Sequence, residues 1–385
     1  MLKLARTEVK MNIVIVIDYY GKSTNGTTMT ARHLVKGLEA LGHNVKVLCG
    51  VGNGDENVYA TGEDKSFLPL YYVCKSQGFI MGKVDWNIIK PVLDQADVVH
   101  FLAGFHFERR IKIYCDKHGI KTTAAFHVQP ENITSTVYLG KFKALNSFIY
   151  ALYRRFFYRK FTEIHCPSNM IAGQLKSHGY KANLHVISNG ISPKFHPIEA
   201  NRPKELEGKY LITMVGRISR EKRQDLLIRA IAHSKYKDKI YLMLPGSGPW
   251  KGTIENMCKK YLKDQSYIGW VQQDELLKFL NYADLYVHAS DIEIEAISCM
   301  EAFACGMVPV ISNSGLSATS QFALEEHNVF EAGNYKDLCA KIEYWIEHEE
   351  EKKALSKKYV EYAKQFAVDK CVAQLEQMLV EEYNK

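Results

Sequence analysis

No stretch of this 385-residue chain is apolar for long enough to cross a bilayer, so an integral membrane span is not expected. The basic opening, Met1 to Lys10, is not followed by an apolar h-region, so it does not read as a signal peptide. Met11, directly before an apolar run, fits as the natural start. The nine cysteines are odd in number and contain no CxxC pair. That pattern argues against a disulfide framework and a zinc site, and for a reducing cytoplasm. No GxGxxG follows the first strand, so a dinucleotide cofactor is not expected. No nucleic-acid recognition motif occurs either.

What remains is an ordinary globular composition, with length for two α/β domains. The net charge of +7 is unevenly spread. Residues 1–200 carry 25 Lys and Arg against 15 Asp and Glu, and residues 201–385 carry 25 against 28. The basic excess therefore lies wholly in the first half, which should face something anionic.

The most informative stretch runs from Ala283 to Ile311. An apolar run to His288 reads as a strand, Ser290-Asp-Ile-Glu293 as a loop, and the residues through Glu301 as about three turns of helix. Gly306 suits the helix end, and Val308 to Ile311 a second strand. In such βαβ units ligands bind at the carboxyl ends of strands, where helix N-termini favour anions. The residues alone leave two readings for the acids. Both Glu293 and Glu301 accept hydrogen bonds from sugar hydroxyls, or Glu293 merely complements a helix N-terminus and Glu301 is solvated.

Upstream, Tyr210 to Val215 reads as a strand followed by Gly216-Arg217 and Lys222 at a helix start. Two cations beside a helix N-terminus repel each other unless an anion sits between them, and a diphosphate suits. Arg220 and Arg223 read as solvated. Pro245-Gly-Ser-Gly248 is a glycine loop where backbone can approach a ligand. In the first half, buried strands are expected at Asn12–Asp18, Asp97–Leu102 and Thr122–His127, with His127 at a strand end. Gly26 lies in the loop after the first strand, where a plain turn is an equal explanation. Asn189-Gly190 with Pro193 marks a linker.

Residues 141–160 hold six basic and seven aromatic residues and no acid. Leu145, Ile149, Leu152 and Phe156 share one helical face. Either this is an ordinary helix with a buried stripe, or it lies on an anionic membrane. The second reading assigns membrane contact to Lys141, Lys143, Arg154, Arg155, Phe156, Phe157, Arg159 and Lys160.

Two Glu with seven residues between them, in Ser-Asp-x-Glu…Glu-Ala-x-Ala-x-Gly-x-x-Pro-Val, resemble the donor-site signature of glycosyltransferase family 4. The resemblance covers nearly the whole chain from Asn12 and is most specific in the second half. It implies an α/β GT-B fold, with two Rossmann-like domains facing across a cleft. Residues 1–190 would form the acceptor domain, 191–360 the donor domain, and 361–385 a helix crossing back. It implies a retaining transferase of a UDP-sugar, with no required metal or cofactor. Arg217 and Lys222 would hold the diphosphate, Glu301 the ribose, Glu293 and His127 the sugar. Gly26, Gly216, Gly248, Ile294, Glu295 and Ala296 would line the donor site. The family usually carries Phe-Gly where this chain has Glu295-Ala296, and Gly-Gly-x-x-Glu where it has the segment from Ser314. The first domain looks similar to bacterial diacylglycerol glucosyltransferases, which implies a lipid acceptor at the cytoplasmic face of the membrane. A polysaccharide or lipid-linked oligosaccharide transferase, a nucleotide-sugar epimerase and a non-catalytic nucleotide-sugar-binding scaffold are the alternatives.

Overall fold

Runs of Ile and Val with no polar interruption make strands that can only be satisfied inside a parallel sheet covered on both faces. Two such sheets form. The computed structural model describes residues 9–21, 26–66, 80–136, 140, 142–263 and 265–385. Lys141, Met1 to Glu8 and Cys74 therefore lie outside the described residues.

The first unit ends at Gly190 and takes in Val368–Lys385. Its seven strands are β1 (Asn12–Tyr19), β2 (Asn44–Val51), β3 (Val58–Ala60), β4 (Val98–Phe101), β5 (Lys121–Ala125), β6 (Glu163–Cys166) and β7 (Asn183–Val186). They lie in the order β3-β2-β1-β4-β5-β6-β7, all parallel. The helices are α1 (Gly26–Ala40), α2 (Trp86–Leu93), α3 (His106–His118), α4 (Pro130–Thr136), α5 (Lys143–Phe156) and α6 (Asn169–Ser177). Order reverses at β1/β4, the point where open α/β sheets take ligands.

The second unit is Ile191–Ala367. Its main strands are β8 (Tyr210–Thr213), β9 (Ile240–Pro245), β10 (Ser266–Gly269) and β11 (Leu285–His288), then β13 (Pro309–Ser312) and β15 (Val329–Phe330), in the order β10-β9-β8-β11-β13-β15. A separate two-stranded ribbon pairs β12 (Ile292–Glu293) with β14 (Leu316–Ser317). The helices are α7 (Gln224–His233), α8 (Lys251–Leu262), α9 (Gln273–Tyr282), α10 (Ile297–Ala304), α11 (Tyr335–Glu347) and α12 (Glu349–Ala363). Trp345, Tyr359 and Phe303 are fully buried in this unit's core.

The tail expected as one helix over residues 361–385 is broken. After α12 a tight turn at Lys364–Phe366 and an extended Ala367 interrupt it, and Ile191 bridges to Ala367. The last helix, α13 (Val368–Tyr383), belongs to the first unit. Cys371, Val372, Leu375, Met378 and Leu379 complete a core with β1, β2 and α1. Glu376 accepts from His43 at 2.8 Å, and Glu382 accepts from Thr162. The helix expected from residue 361 thus starts at Val368, and residues 361–367 stay with the second unit.

Candidate functional site

The second unit builds its site by tying two carboxyl-end loops together, one after β8 and one after β11. The first loop is shaped by backbone crowding. Gly216 has φ of 146°, and a Cβ on Gly246 would stand 1.9 Å from its carbonyl oxygen. A Cβ on Gly248 would stand 2.3 Å from the carbonyl oxygen of Ile218. The close approach made by Gly248 is therefore to the Arg217 loop itself. Ile218 N–H donates to the Ser247 carbonyl at 2.9 Å, and Trp250 N–H to the Ile218 carbonyl at 3.1 Å. Gln224 holds the Arg217 carbonyl at 2.9 Å.

The second loop meets the first through three contacts. Asp291 N–H donates to the Glu221 carbonyl at 2.8 Å. Arg223 places one guanidinium nitrogen on both Asp291 oxygens, at 2.9 and 3.2 Å, and its Nε on Asp225 at 3.2 Å. Lys222 forms an ion pair with Glu293. Arg223 is thus a half-buried tether, in correction of its reading as solvated. Burial would lower its pKa, but Asp291 and Asp225 outweigh that and raise it. Arg220 is exposed.

Glu293 sits in the short strand β12, in register with Ser317. Ser314, from the same departing segment, donates to the Asp291 carbonyl. That segment therefore braces the Glu293 loop with β14. His288, which ends β11, places Nε2 3.2 Å from Glu293 and 3.1 Å from Ser290 Oγ, while Tyr286 O–H approaches its Nδ1 at 3.2 Å. Burial pushes the Glu293 carboxyl up, but the Lys222 ammonium and His288 overcome it and hold the pKa at about 2. Burial lowers the pKa of His288, which stands against its carboxylate partner. His288 carried no role in the sequence reading. Its place five residues before Glu293, at a strand end, was the available signal.

Glu301 contrasts with Glu293. No described residue hydrogen-bonds or ion-pairs with its carboxylate, and burial raises its pKa to about 8. It lies on α10, which has about two turns rather than three. The helix starts late because Ala296 adopts φ 71° and ψ 62°, the left-handed region. This is where the family usually has glycine, and an L-side chain there costs about 1–2 kcal/mol. Glu295 and Ala296 are buried at 3% and 5% exposure, so both side chains are withdrawn, while Ile294 stays half-buried.

In the first unit, Gly26 opens α1 and His127 follows β5. His127 is buried at 8% exposure and its Nε2 has no hydrogen-bond partner among the described residues. It lies edge-to-face with His165, ring centroids 5.2 Å apart. Burial, then His165 and His100, drive its pKa well below the ordinary value. His100 donates to or accepts from Thr123 at 2.8 Å and is held by burial at about 3. His106 is exposed at the start of α3.

The basic helix divides differently from its expected stripe. On α5 the fully buried residues are Asn146 and Tyr150. Leu145, Ile149 and Leu152 are only partly covered, and Phe142, Phe148 and Phe156 are 60, 59 and 50% exposed. At 100° per residue these six share a face turned away from the Asn146–Tyr150 side. Lys143, Arg155 and Arg159 are exposed around it, and Arg109 of α3 stands 5.5 Å over the Phe156 ring. Two assignments need correction. Phe157 is 2% exposed and edge-on to Phe101 at 5.8 Å, because the helix ends at Phe156 and the chain turns inward. Arg154 caps α6, donating to the carbonyls of His178 and Gly179 at 2.8 and 3.2 Å. Lys160 is exposed and pairs with Asp116 at 2.6 Å. No described helix is long and apolar enough to cross a membrane.

Two family models match the chain: "Glycosyltransferase Family 4" over residues 24–195 and "Glycosyl transferases group 1" over residues 197–366. The chain is 24% identical over 327 residues to the alpha-monoglucosyldiacylglycerol synthase of Streptococcus pneumoniae, spanning 79% of this chain and 71% of that protein. Among solved structures it resembles Anabaena HepE in complex with UDP-glucose, with TM-score 0.73 and 14% identity over 96% of this chain and 100% of that one. The catalytic domain of Helicobacter pylori cholesterol-alpha-glucosyltransferase is 47% identical over 41% of this chain and 99% of that one, with TM-score 0.40.

Proposed function

Because the chain belongs to glycosyltransferase family 4 and has the GT-B fold, we propose that it is a retaining hexosyltransferase. It moves glucose or galactose from a UDP-sugar to a lipid such as diacylglycerol at the cytoplasmic face of a membrane. The observation that carries the transfer half is the second unit's pre-assembled site: a lysine paired to one glutamate beside a second glutamate with no hydrogen-bond or ion-pair partner among the described residues. Arg217 and Lys222 take the diphosphate, Glu301 the ribose hydroxyls and Glu293 the sugar. When phosphate arrives, Lys222 is shared between it and Glu293.

In the step itself, the bond from the acceptor oxygen to the sugar C1 forms as the bond from C1 to the diphosphate oxygen breaks. The acceptor proton passes to the leaving phosphate, and UDP departs. Stabilising the charge that develops on that phosphate is the largest expected contribution. His127, kept neutral by burial, is the first unit's candidate for a sugar hydroxyl. No metal or cofactor enters this scheme.

The lipid half rests on the outward apolar face of α5 with its exposed Lys143, Arg155 and Arg159. Such a face suits insertion at the headgroup level of an anionic membrane. The named activity of the pneumococcal relative supports a diacylglycerol-based acceptor.

The test is UDP release from UDP-glucose and UDP-galactose, with and without anionic vesicles containing diacylglycerol, and in parallel with a sterol or a soluble glycan. Vesicle-dependent release with a glycolipid product is the expected result. Release only with a glycan discards the lipid acceptor. UDP binding without any product favours a scaffold, and sugar interconversion without acceptor an epimerase.

A further inference from the structure

Two acids at the carboxyl edge of the first sheet are buried with no cation. Asp18 lies near the end of β1, and Glu108 in the first turn of α3, which follows β4. β1 and β4 are neighbours, with Val16 opposite Phe101, so the topology brings the two acids together. Asp18 is 3% exposed and Glu108 fully buried. No described residue forms a salt bridge to either. Asp18 Oδ1 accepts from Gly82 N–H at 2.7 Å. Glu108 Oε2 accepts from Phe105 N–H at 3.2 Å and so caps α3. Each carboxyl also acts on the other's protonation. Among the described residues, Asp18 Oδ2 and Glu108 Oε1 are buried with no hydrogen-bond partner.

Two carboxylates cannot hydrogen-bond without a proton between them, and two bare anions buried together would cost more than the fold can supply. We propose that Asp18 and Glu108 share one proton and act as a positioning pair, clasping the Gly82 segment to the start of α3. The part of this concerning the acceptor rests on the lipid-transfer reading above, which places the acceptor at this unit.

The clasp has something to hold. Asp64 N–H donates to the Met81 carbonyl at 2.8 Å, and Lys83 N–H to the Gly62 carbonyl at 2.9 Å. A Cβ on Gly50, in β2, would stand 2.4 Å from the Gly82 Cα. The Gly82 segment is thus pressed against β2 on one side and joined to α3 through the acid pair on the other. The charged and titratable groups around the pair offer no substitute for the proton. Asp64, near Asp18, has the same sign and is itself drawn down by Ser66, with His106 and Lys83 acting on Asp64. Tyr158, near Glu108, is neutral because burial raises its pKa.

The pH sign follows. Burial raises Asp18 to about 6, and burial with the neighbouring Asp18 raises Glu108 well above the ordinary carboxyl value. Groups raised on folding bind more protons in the native state, so their stabilisation is full below the unfolded carboxyl range. It is lost as pH rises through the folded values. The pair should therefore loosen on the alkaline side.

The experiment is thermal unfolding of the full chain from pH 5 to pH 9 for the wild type, Asp18→Asn, Glu108→Gln and Glu108→Ala. Acceptor KM and kcat are measured alongside. In either amide variant an N–H takes the place of the shared proton and stays at every pH. The expected result is a melting-temperature gap between wild type and each amide variant that widens in the variant's favour as pH rises. In the infrared difference between wild type and each amide variant, where the protonated Glu301 carboxyl cancels, one protonated-carboxyl C=O band should be lost from both variants. A gap constant with pH, or a difference spectrum without that lost band, overturns the shared proton. Acceptor KM should rise several-fold in Glu108→Ala with kcat little changed, and return to within about twofold of wild type in Glu108→Gln. Equal KM in all three overturns the positioning role. If Glu108→Ala does not fold, Asp18→Asn and Glu108→Gln decide through the pH-dependent gap. If the wild type transfers nothing but the gap behaves as expected, the acid pair stands and the transferase reading falls.

Discussion

The two units wrap helices around parallel sheets in the same way, yet their ligand-side edges are electrostatic opposites. In the second unit the loops of the edge keep their charges and pair them, Lys222 with Glu293 and Arg223 with Asp291, and only Glu301 on α10 is left to hold a proton. In the first unit the edge is neutralised. His100, His127 and His165 are all held uncharged by burial. The Asp18–Glu108 pair has no salt-bridge partner among the described residues. The lesson is that one architecture can present charge or hide it, depending on whether a buried group finds a counter-ion. A charged nucleotide fits the first kind of edge, and a neutral hydroxyl the second.

The largest test of this comparison removes the charge. The double variant Arg217→Ala/Lys222→Ala should lose about 10²- to 10³-fold in UDP release, the scale of one lost oxyanion-type donor or more. It should also strand Glu293 as a buried unpaired acid, lowering the denaturant midpoint at pH 7. Unchanged turnover would show that the paired edge is structural.

Next in size is the outward face of α5. Phe148→Ser with Phe156→Ser should weaken binding to anionic vesicles by about tenfold or more, since each exposed Phe contributes on the order of 1 kcal/mol when it enters the interface. The melting temperature should hold, because neither ring is in the core. A sedimentation assay reads the loss, and unchanged binding would detach the basic unit from membranes.

Glu301 gives a two-sided prediction. Its pKa is raised by burial to about 8, so native protein binds a proton there that the unfolded chain has released. Its stability contribution is full below the ordinary carboxyl pKa of about 4.5 and falls as pH rises towards 8. Glu301→Gln should therefore gain in melting temperature over wild type as pH climbs, while its affinity for UDP, read by calorimetry, falls about tenfold. Glu293 carries the reverse sign: held at about 2, it stabilises above the unfolded value and loses that as pH falls.

The smallest effect is Ala296→Gly. Relief of the left-handed alanine should gain about 1 kcal/mol in a urea titration, less the entropy that glycine returns to the unfolded chain. No gain would mean that the surrounding contacts have already absorbed the strain.

How much of this the sequence made legible follows the range of each interaction. Glu293 and Glu301 sit in one strand–loop–helix unit, so their spacing alone is a signal. Arg223 and Asp291 are 68 positions apart, and nothing local marks Arg223 as a tether rather than a solvated residue. The helical period carried the basic segment through Phe157, but the chain leaves the helix there and buries the ring against Phe101. Hydrophobic spacing also named Leu145, Ile149 and Leu152 as a stripe without saying which way it points. The buried side is instead fixed by Tyr150, whose O–H reaches Gln174 at 2.8 Å, and by Asn146, which meets Thr134 at 2.8 Å. The Asp18–Glu108 pair spans 90 positions and has no pattern to betray it.

The return of α13 to the first unit has a consequence for synthesis. The residues that close the first core, from Cys371 to Leu379, leave the ribosome only after the whole second unit has been made. Thr162 waits for Glu382, and Glu163, already held by Asn183 and His185, gains Lys385. The second unit, Ile191–Ala367, is contiguous in the chain and has every residue it needs before then. The unit begun first is therefore completed after the second, and a nascent chain stopped before α13 would hold one complete domain and one open one.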